Sequence, residues 1–178
     1  MKFIFFLIFF NLVGNLSTIQ NNDSAKYALA YNYILEDTLN IEKIFHEDIH
    51  NNIQMCFSNE IVYIPKFIFL DDMIEYEYPC LEKNQKSNLS KELFKSDMLD
   101  SFSSYIDTNF IDVTQNHSCN LKVFFSKIIE DKLMVTVLQS SESDDYSEVY
   151  SKGYTFLFYL FYFKNDKIEK IMQKHVYR

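Results

Sequence analysis

Four apolar segments, separated by polar stretches, occupy the last third of the chain and predict four β-strands. They are Leu121–Ile129, Leu133–Leu138, Tyr154–Phe163 and Lys167–Tyr177. Their β-branched and aromatic residues are those that strands favour. Glu130-Asp131 and Asn165-Asp166 supply turn residues between the first and second and between the third and fourth segments. We therefore expect a four-stranded antiparallel meander.

The third and fourth of these segments differ in polarity. Tyr154–Phe163 is apolar on both faces, which predicts a central strand covered on both sides of the sheet. Lys167–Tyr177 is more polar, and its lysines would discourage further pairing, as is typical of an edge strand.

Helical spacing is the main pattern in the first half of the chain. A helix is predicted from Ser24 to about Asp37, capped by Asp23 or Ser24. Ala25, Ala28, Leu29, Asn32 and Tyr33 fall on one stripe of this helix. The following segment, 41–57, also fits helical spacing but is ambiguous.

The middle of the chain predicts one strand, one loop and one further helix. Ile61–Ile64 is short and β-branched, and Pro65 would end it as a strand. Residues 82–90 are polar and predict a loop, and Ser90 would cap an amphipathic helix of about 15 residues. Together the elements predict an α+β fold in which N-terminal helices pack on a C-terminal four-stranded antiparallel meander sheet.

The N-terminus matches a secretory signal peptide. Lys2 is followed by the apolar run Phe3–Phe10, and small and polar residues begin at Gly14. The run is shorter than the roughly 20 residues of a stable membrane span. We predict that residues 1–18 are a signal peptide and that residues 19–178 form a single exported domain, periplasmic or secreted, with no stable membrane span after signal removal.

Composition excludes several functional classes. A net charge of −8 argues against nucleic acid as a partner, because nucleic acid requires a basic surface. With only two glycines among 178 residues, Gly-rich phosphate loops, dinucleotide fingerprints and nucleophile elbows are absent. We predict no cofactor. The 18 Phe and 13 Tyr suit a core, or a surface for a protein or a small apolar ligand.

Three cysteines, Cys56, Cys80 and Cys119, leave the disulfide state open. Export would permit one disulfide, and an odd number leaves at least one thiol over. The spacing matches no zinc or redox motif and favours no particular pair. Three reduced, mostly buried cysteines are the preferred expectation.

One catalytic motif stands out, His46-Glu47-Asp48-Ile49-His50. In this H-E-x-x-H pattern two histidines on one helical face bind zinc and the glutamate activates a water. Asp48 adds a second carboxylate beside Glu47, and no matching third ligand follows. We therefore predict no metal site, and keep as the alternative a small zinc-dependent hydrolase with His46 and His50 as ligands and Glu47 as general base.

Two segments carry a family resemblance. Leu121–Ile129, followed by an apolar strand, a polar loop, an aromatic strand and a final strand, resembles the C-terminal half of small uncharacterised exported proteins of Gram-negative bacteria. Ala28–Ile34 is similar to the start of that group. The resemblance includes no catalytic motif and implies export and an undefined role.

Two functional hypotheses, with a third fold-based possibility, follow from the sequence. The leading one is an exported, non-enzymatic binding or interaction domain. The rival is the zinc hydrolase. The order of helices followed by a meander would also permit a cone-shaped α+β sheet with an enzymatic or ligand pocket.

Overall fold

A computed structural model of the chain describes residues 23–45, 53–99, 105–106, 119–139 and 145–178. The predicted signal peptide lies outside these residues. The helices are α1 (23–36), α2 (Thr38–Phe45), α3 (Leu70–Glu77), α4 (Lys83–Leu99) and α5 (Tyr146–Lys152), with a 3-10 turn at Lys66–Phe69. The strands are β1 (Met55–Val62), β2 (Tyr105–Ile106), β3 (Leu121–Ser126), β4 (Lys132–Gln139), β5 (Thr155–Lys164) and β6 (Lys167–Tyr177).

The described strands form one mixed sheet in the order β2-β1-β3-β4-β5-β6. This confirms the predicted α+β class. The predicted four-stranded antiparallel sheet is incomplete: β3 to β6 do pair antiparallel in chain order, but β1 adds parallel to β3, and β2 pairs with β1. A parallel neighbour needs a long crossover, which here includes α3 and α4.

β1 is longer than the strand predicted at Ile61–Ile64, and it begins at Met55. The polar run Ser58-Asn59-Glu60 breaks the apolar pattern, so the first part of β1 is not recognisable as a strand in the sequence. In the structure the register between β1 and β3 shifts across this run, between Phe57 and Ile61. An irregular strand of this kind has no clean period of two.

β5 lies between β4 and β6, as predicted, and is buried at every position but the last. Leu157, Tyr159 and Phe161 belong to a core beneath α1 and α2. Phe158 and Leu160 belong to a second core, beneath the 3-10 turn, α3 and α5. The aromatic run is therefore core on both faces, and β6 is the edge strand.

The two predicted turns are confirmed. Glu130, Asp131, Asn165 and Asp166 all have positive φ, between 51° and 58°. Asn and Asp tolerate this left-handed region better than most residues, and two such residues in succession give the tight turn whose twist suits a hairpin.

The face of α1 that packs on the sheet differs from the stripe noted in the sequence. Tyr27, Ala30 and Ile34 are the buried residues of its apolar face, whereas Ala28 and Leu29 are exposed. Alanine supplies little area to bury, so the larger side chains determine the face that packs. The same stripe continues in α2 beyond the turn at Asp37.

The predicted loop at residues 82–90 is also wrong, since α4 begins at Lys83. Gln85 Oε1 accepts from the backbone N–H of Glu82 at 3.0 Å, which satisfies one free donor at the helix start. Lys86 pairs with Glu75 of α3 at 2.6 Å. The local cap and the tertiary ion pair to α3 stabilise a helix whose composition alone suggests a loop.

A disulfide joins Cys56 of β1 to Cys119, just before β3, and Cys80 is a free, exposed cysteine. The preferred expectation of three reduced cysteines is therefore wrong. The parallel pairing of β1 with β3 brings the two positions within a Cα–Cα distance of 5.6 Å, and sequence spacing alone could not reveal that pairing.

Candidate ligand-binding cleft

The predicted catalytic motif lies outside the described residues. α2 ends at Phe45, and His46, Glu47 and His50 fall in the interval 46–52. Among the residues that the structure does describe, no group of three His, Cys, Asp or Glu side chains is placed to hold a metal ion.

A cleft opens on the second core, at the end of the sheet where β1 and β3 finish. It is small, with a cavity volume of about 40 Å³. Its lining residues come from the segment after β1, the start of the 3-10 turn, α3, the end of β3, the β3–β4 turn, β4 and β5: Tyr63, Ile64, Lys66, Met73, Ser126, Lys127, Ile129, Lys132, Met134 and Leu160. One water needs about 10–15 Å³ by this measure, so the cavity has room for a few waters or for one small apolar group.

The walls of the cleft are mainly apolar. Ile64, Met73, Met134 and Leu160 are buried members of the second core or its border and present carbon and sulfur to the cavity. Ile129, 40% exposed, lies in the β3–β4 turn and forms part of the same lining. Methionine is flexible, so two methionine walls can adapt to ligand shape.

Three lysines and no carboxylate are among the lining residues, but the surface of the cavity is almost entirely apolar, so the lysines contribute chiefly their methylene stems. Lys132 Nζ lies 3.1 Å from Glu77 Oε1 and 3.4 Å from Glu130 Oε2, so nearby carboxylates balance its charge. In the described part of the chain, Lys66 and Lys127 form no ion pair.

A polar network fixes Lys132 beside the cleft. Tyr162 Oη donates to Glu77 Oε1 at 2.8 Å, and Lys132 Nζ lies 5.7 Å from the centre of the Tyr162 ring. Burial and the hydrogen bond to Glu77 raise the pKa of Tyr162 above its usual range. Tyr162 therefore stays a neutral donor, and Lys132 stays paired with Glu77.

Ser126 shapes the inner wall of the cleft. Its Oγ accepts from Met134 N–H at 2.9 Å and donates to the carbonyl oxygen of Lys127 at 3.0 Å. Its own carbonyl oxygen accepts from Tyr27 Oη at 2.9 Å, which ties the end of β3 to α1. These bonds set the direction in which the chain leaves β3 and so place Lys127 at the cleft.

A second polar cluster lies on the other face of the sheet. Asp37 Oδ2 accepts from Tyr159 Oη at 2.8 Å, from Asn40 Nδ2 at 3.3 Å and from Gln173 Nε2 at 3.4 Å. Burial, followed by the bond to Asp37, raises the pKa of Tyr159. A phenol held neutral is a poor base, so we assign Tyr159 no catalytic role. The hydrogen bonds of this cluster fasten the α1–α2 turn to β5 and β6.

Comparison with known proteins finds no matching family model, no matching curated protein and no matching solved structure. Within the described residues, no helix combines the length and apolar character that crossing a membrane requires. Function must therefore be argued from the cleft itself.

Sequence reasoning missed the cleft because its lysines come from separate segments. Lys127 and Lys132 flank the predicted β3–β4 turn, and Lys66 follows Pro65 at the end of β1. A hairpin prediction could have placed Lys127 near Lys132. The parallel pairing of β1 with β3, which brings Lys66 to the same end of the sheet, was not predicted.

Proposed function

We propose that this protein is an exported, non-enzymatic binding domain whose cleft takes a small apolar group of its ligand. The observation that supports this proposal most directly is an open cavity with apolar walls at the border of an otherwise filled core. Small-molecule sites have this character: apolar lining, a few polar groups and concave shape.

Export is supported by two features. The N-terminal pattern of Lys2 and Phe3–Phe10 is that of a signal peptide. The disulfide Cys56–Cys119 suits an oxidising compartment such as the periplasm or the cell exterior, because cytosolic thiols are kept reduced. The resemblance to exported proteins of Gram-negative bacteria agrees with this proposal.

A neutral fluorescent probe tests the binding proposal. N-phenyl-1-naphthylamine has no charge and becomes bright in apolar surroundings. We expect saturable binding to the purified full chain, and loss of that binding in Ile129→Trp, whose indole would fill the cleft. Leu39→Trp is the matched control, because Leu39 on α2 is 81% exposed and does not line the cleft.

Two results would contradict the proposal. The first is no saturable binding of the probe. The second is equal binding by the native chain and by Ile129→Trp. Circular dichroism of both Trp variants establishes that the fold is retained.

The zinc-hydrolase alternative rests on the His46-Glu47-x-x-His50 pattern. We propose that this pair binds no metal at stoichiometry. Elemental analysis in metal-free buffer decides it: near-equimolar zinc that is lost in His46→Ala would favour the hydrolase, with Glu47 as general base.

A further inference from the structure

We propose that β6 is a docking edge for an extended acidic peptide, which adds to the sheet as a further strand antiparallel to β6. The peptide carries carboxylates on one face and apolar side chains on the other. This surface is separate from the cleft, since no residue of β6 lines the cavity. The inference therefore goes beyond the proposed function and does not depend on it.

The first step is the length and position of β6. It has 11 residues and is the last strand of the described sheet, whereas β2 at the opposite edge has only 2 residues. Proteins often block a long edge by proline, by shortening it or by covering it. β6 contains no proline, and no further strand pairs with it in the described part of the chain. Its outer edge can therefore accept another strand.

The direction of the backbone groups of β6 follows from its pairing with β5. Arg178 N–H donates to the carbonyl oxygen of Tyr154 at 2.9 Å, one step beyond the last residue pair of the two strands. Hydrogen-bonded and non-hydrogen-bonded pairs alternate along an antiparallel ladder. Four residues of β6 therefore direct their N–H and C=O groups away from β5, where an added strand can bond them: Ile171, Gln173, His175 and Tyr177.

The charge of β6 selects the kind of strand that is added. The chain has a net charge of −8, yet β6 carries three lysines and a single carboxylate, Glu169. Glu169 is already paired with Lys164 at 3.3 Å. Lys167 and Lys170 form no ion pair among the described residues. Carboxylates on a neighbouring strand would form stabilising cross-strand pairs with them.

The same lysines oppose pairing with a second copy of this chain. Lys170 and Lys174 lie opposite Tyr162 and Phe158 of β5, so they share one face of the sheet. Two β6 strands paired antiparallel would bring both lysines of each copy onto that face, and like charges opposite each other destabilise a sheet. Lys174 is balanced by Asp72 at 2.5 Å, whereas Lys170 has no such partner among the described residues. An acidic strand is therefore the favoured occupant.

The other face of β6, which bears α1 and α2, sets the second half of the peptide pattern. Ile171 packs against the core on that face, and Tyr177 is 64% exposed. Apolar side chains of an added strand would lie beside them and remove apolar surface from water. Because side chains alternate between the faces of a strand, a peptide that alternates glutamate with valine matches both faces.

Calorimetric titration of the purified chain with synthetic peptides tests the proposal. Three peptides of about eight residues alternate valine with glutamate, glutamine or lysine. We expect the glutamate peptide to bind about tenfold more tightly than the glutamine peptide, from two cross-strand ion pairs, and the lysine peptide to bind most weakly.

A fourth peptide separates strand addition from simple charge attraction. In the glutamate peptide the valines would lie opposite the outward-directed residues of β6, so their N–H groups would bond the edge. Replacing these valines by proline keeps every carboxylate and removes those donors. We expect no binding of the proline peptide.

The double variant K167Q/K170Q assigns the charge preference to β6. It should lose most of the preference for the glutamate peptide over the glutamine peptide. K91Q/K95Q is the matched control, because both lysines are exposed on α4 and the change in net charge is the same. This control should retain the preference.

His175→Pro tests the backbone edge. The N–H of His175 points away from β5, so proline removes an outward donor and leaves the bonds to β5 in place. We expect this variant to lose binding of the glutamate peptide and to keep the circular dichroism spectrum of the native chain. His175→Ala is the matched control and should bind as the native chain does. If His175→Pro fails to fold, the proline peptide and K167Q/K170Q still decide the question.

Three results would overturn the proposal: no binding of the glutamate peptide, equal affinity for the glutamate and glutamine peptides, or binding of the proline peptide. Self-association in analytical ultracentrifugation that is lost in His175→Pro would assign the edge to a second copy and overturn it as well. None of these results bears on the cleft, which N-phenyl-1-naphthylamine and Ile129→Trp test separately.

Discussion

Tyr159 and Tyr162 of β5 form hydrogen bonds on opposite faces of the sheet. Tyr159 Oη donates to Asp37 under α1, and Tyr162 Oη donates to Glu77 of α3. Both rings are buried, and both hydroxyl groups meet a carboxylate. Each bond satisfies a polar group that would otherwise be costly to bury, and each fastens a helix to the central strand.

We predict that these two tyrosines resist ionisation in the folded protein. Burial, followed by the hydrogen bond to a carboxylate, raises the folded-state pKa of each above the ordinary value of 10.0. Their contribution to stability is therefore complete below pH 10 and is lost as pH rises through the folded-state pKa. Near-ultraviolet absorbance at pH 11 should show at least two fewer tyrosinates in the native chain than in the unfolded chain.

The matched variants for that titration are Tyr159→Phe and Tyr162→Phe. Each should reduce the difference between native and unfolded chains by one tyrosinate. Identical absorbance of the native and unfolded forms at pH 11 would contradict the assignment.

A second prediction at this scale separates the centre of the sheet from its edge. Phe158→Ala or Leu157→Ala should lower the free energy of unfolding by about 3 kcal/mol, because each side chain is almost fully buried and leaves a cavity. Lys170→Ala on the exposed strand β6 should cost well under ~1 kcal/mol. Denaturant midpoints in which both kinds of change are equally harmful would refute the assignment of β5 and β6.

At the scale of elements, the disulfide Cys56–Cys119 links the strands that form the one parallel pair of the described sheet. Its two cysteines are 63 residues apart in sequence. It therefore closes the long crossover that contains α3, α4 and β2. Constraining so long a loop reduces the entropy of the unfolded chain.

We predict that the double variant C56A/C119A lowers the free energy of unfolding by about 4 kcal/mol, from the loop-closure entropy of a segment this long. Cys80→Ala, at an exposed free cysteine, should cost well under ~1 kcal/mol. Alkylation and mass spectrometry of the exported chain should modify Cys80 alone. Modification of all three cysteines under non-reducing conditions would refute the disulfide.

The elements also differ in how far the sequence could predict them. β3 to β6 could be predicted from the sequence, because each coincides with an apolar run and the turn residues lie where the structure has the turns. β1 was partly hidden by the polar run 58–60, and the first turns of α4 depend on contacts with α3 that a local pattern does not contain. The cleft depends on the parallel pair β1–β3, so it could not be placed without that long-range pairing.

For the whole molecule, we predict that the signal peptide is cleaved during export. Mass spectrometry of the exported protein should find an N-terminus between Asn15 and Asp23, because the apolar run of residues 3–10 and the polar exit after Gly14 place the cleavage region there. An exported product that retains Met1 would contradict the signal-peptide proposal.

An NMR titration of the isotope-labelled chain with N-phenyl-1-naphthylamine is the most direct test of the proposal that the cleft binds an apolar group. We expect saturable backbone shifts at residues around the cleft, such as Ile64, Lys127 and Met134, and loss of these shifts in Ile129→Trp. Shifts centred instead on the opposite face, around Asp37 and Gln173, or no saturable shifts at all, would contradict it.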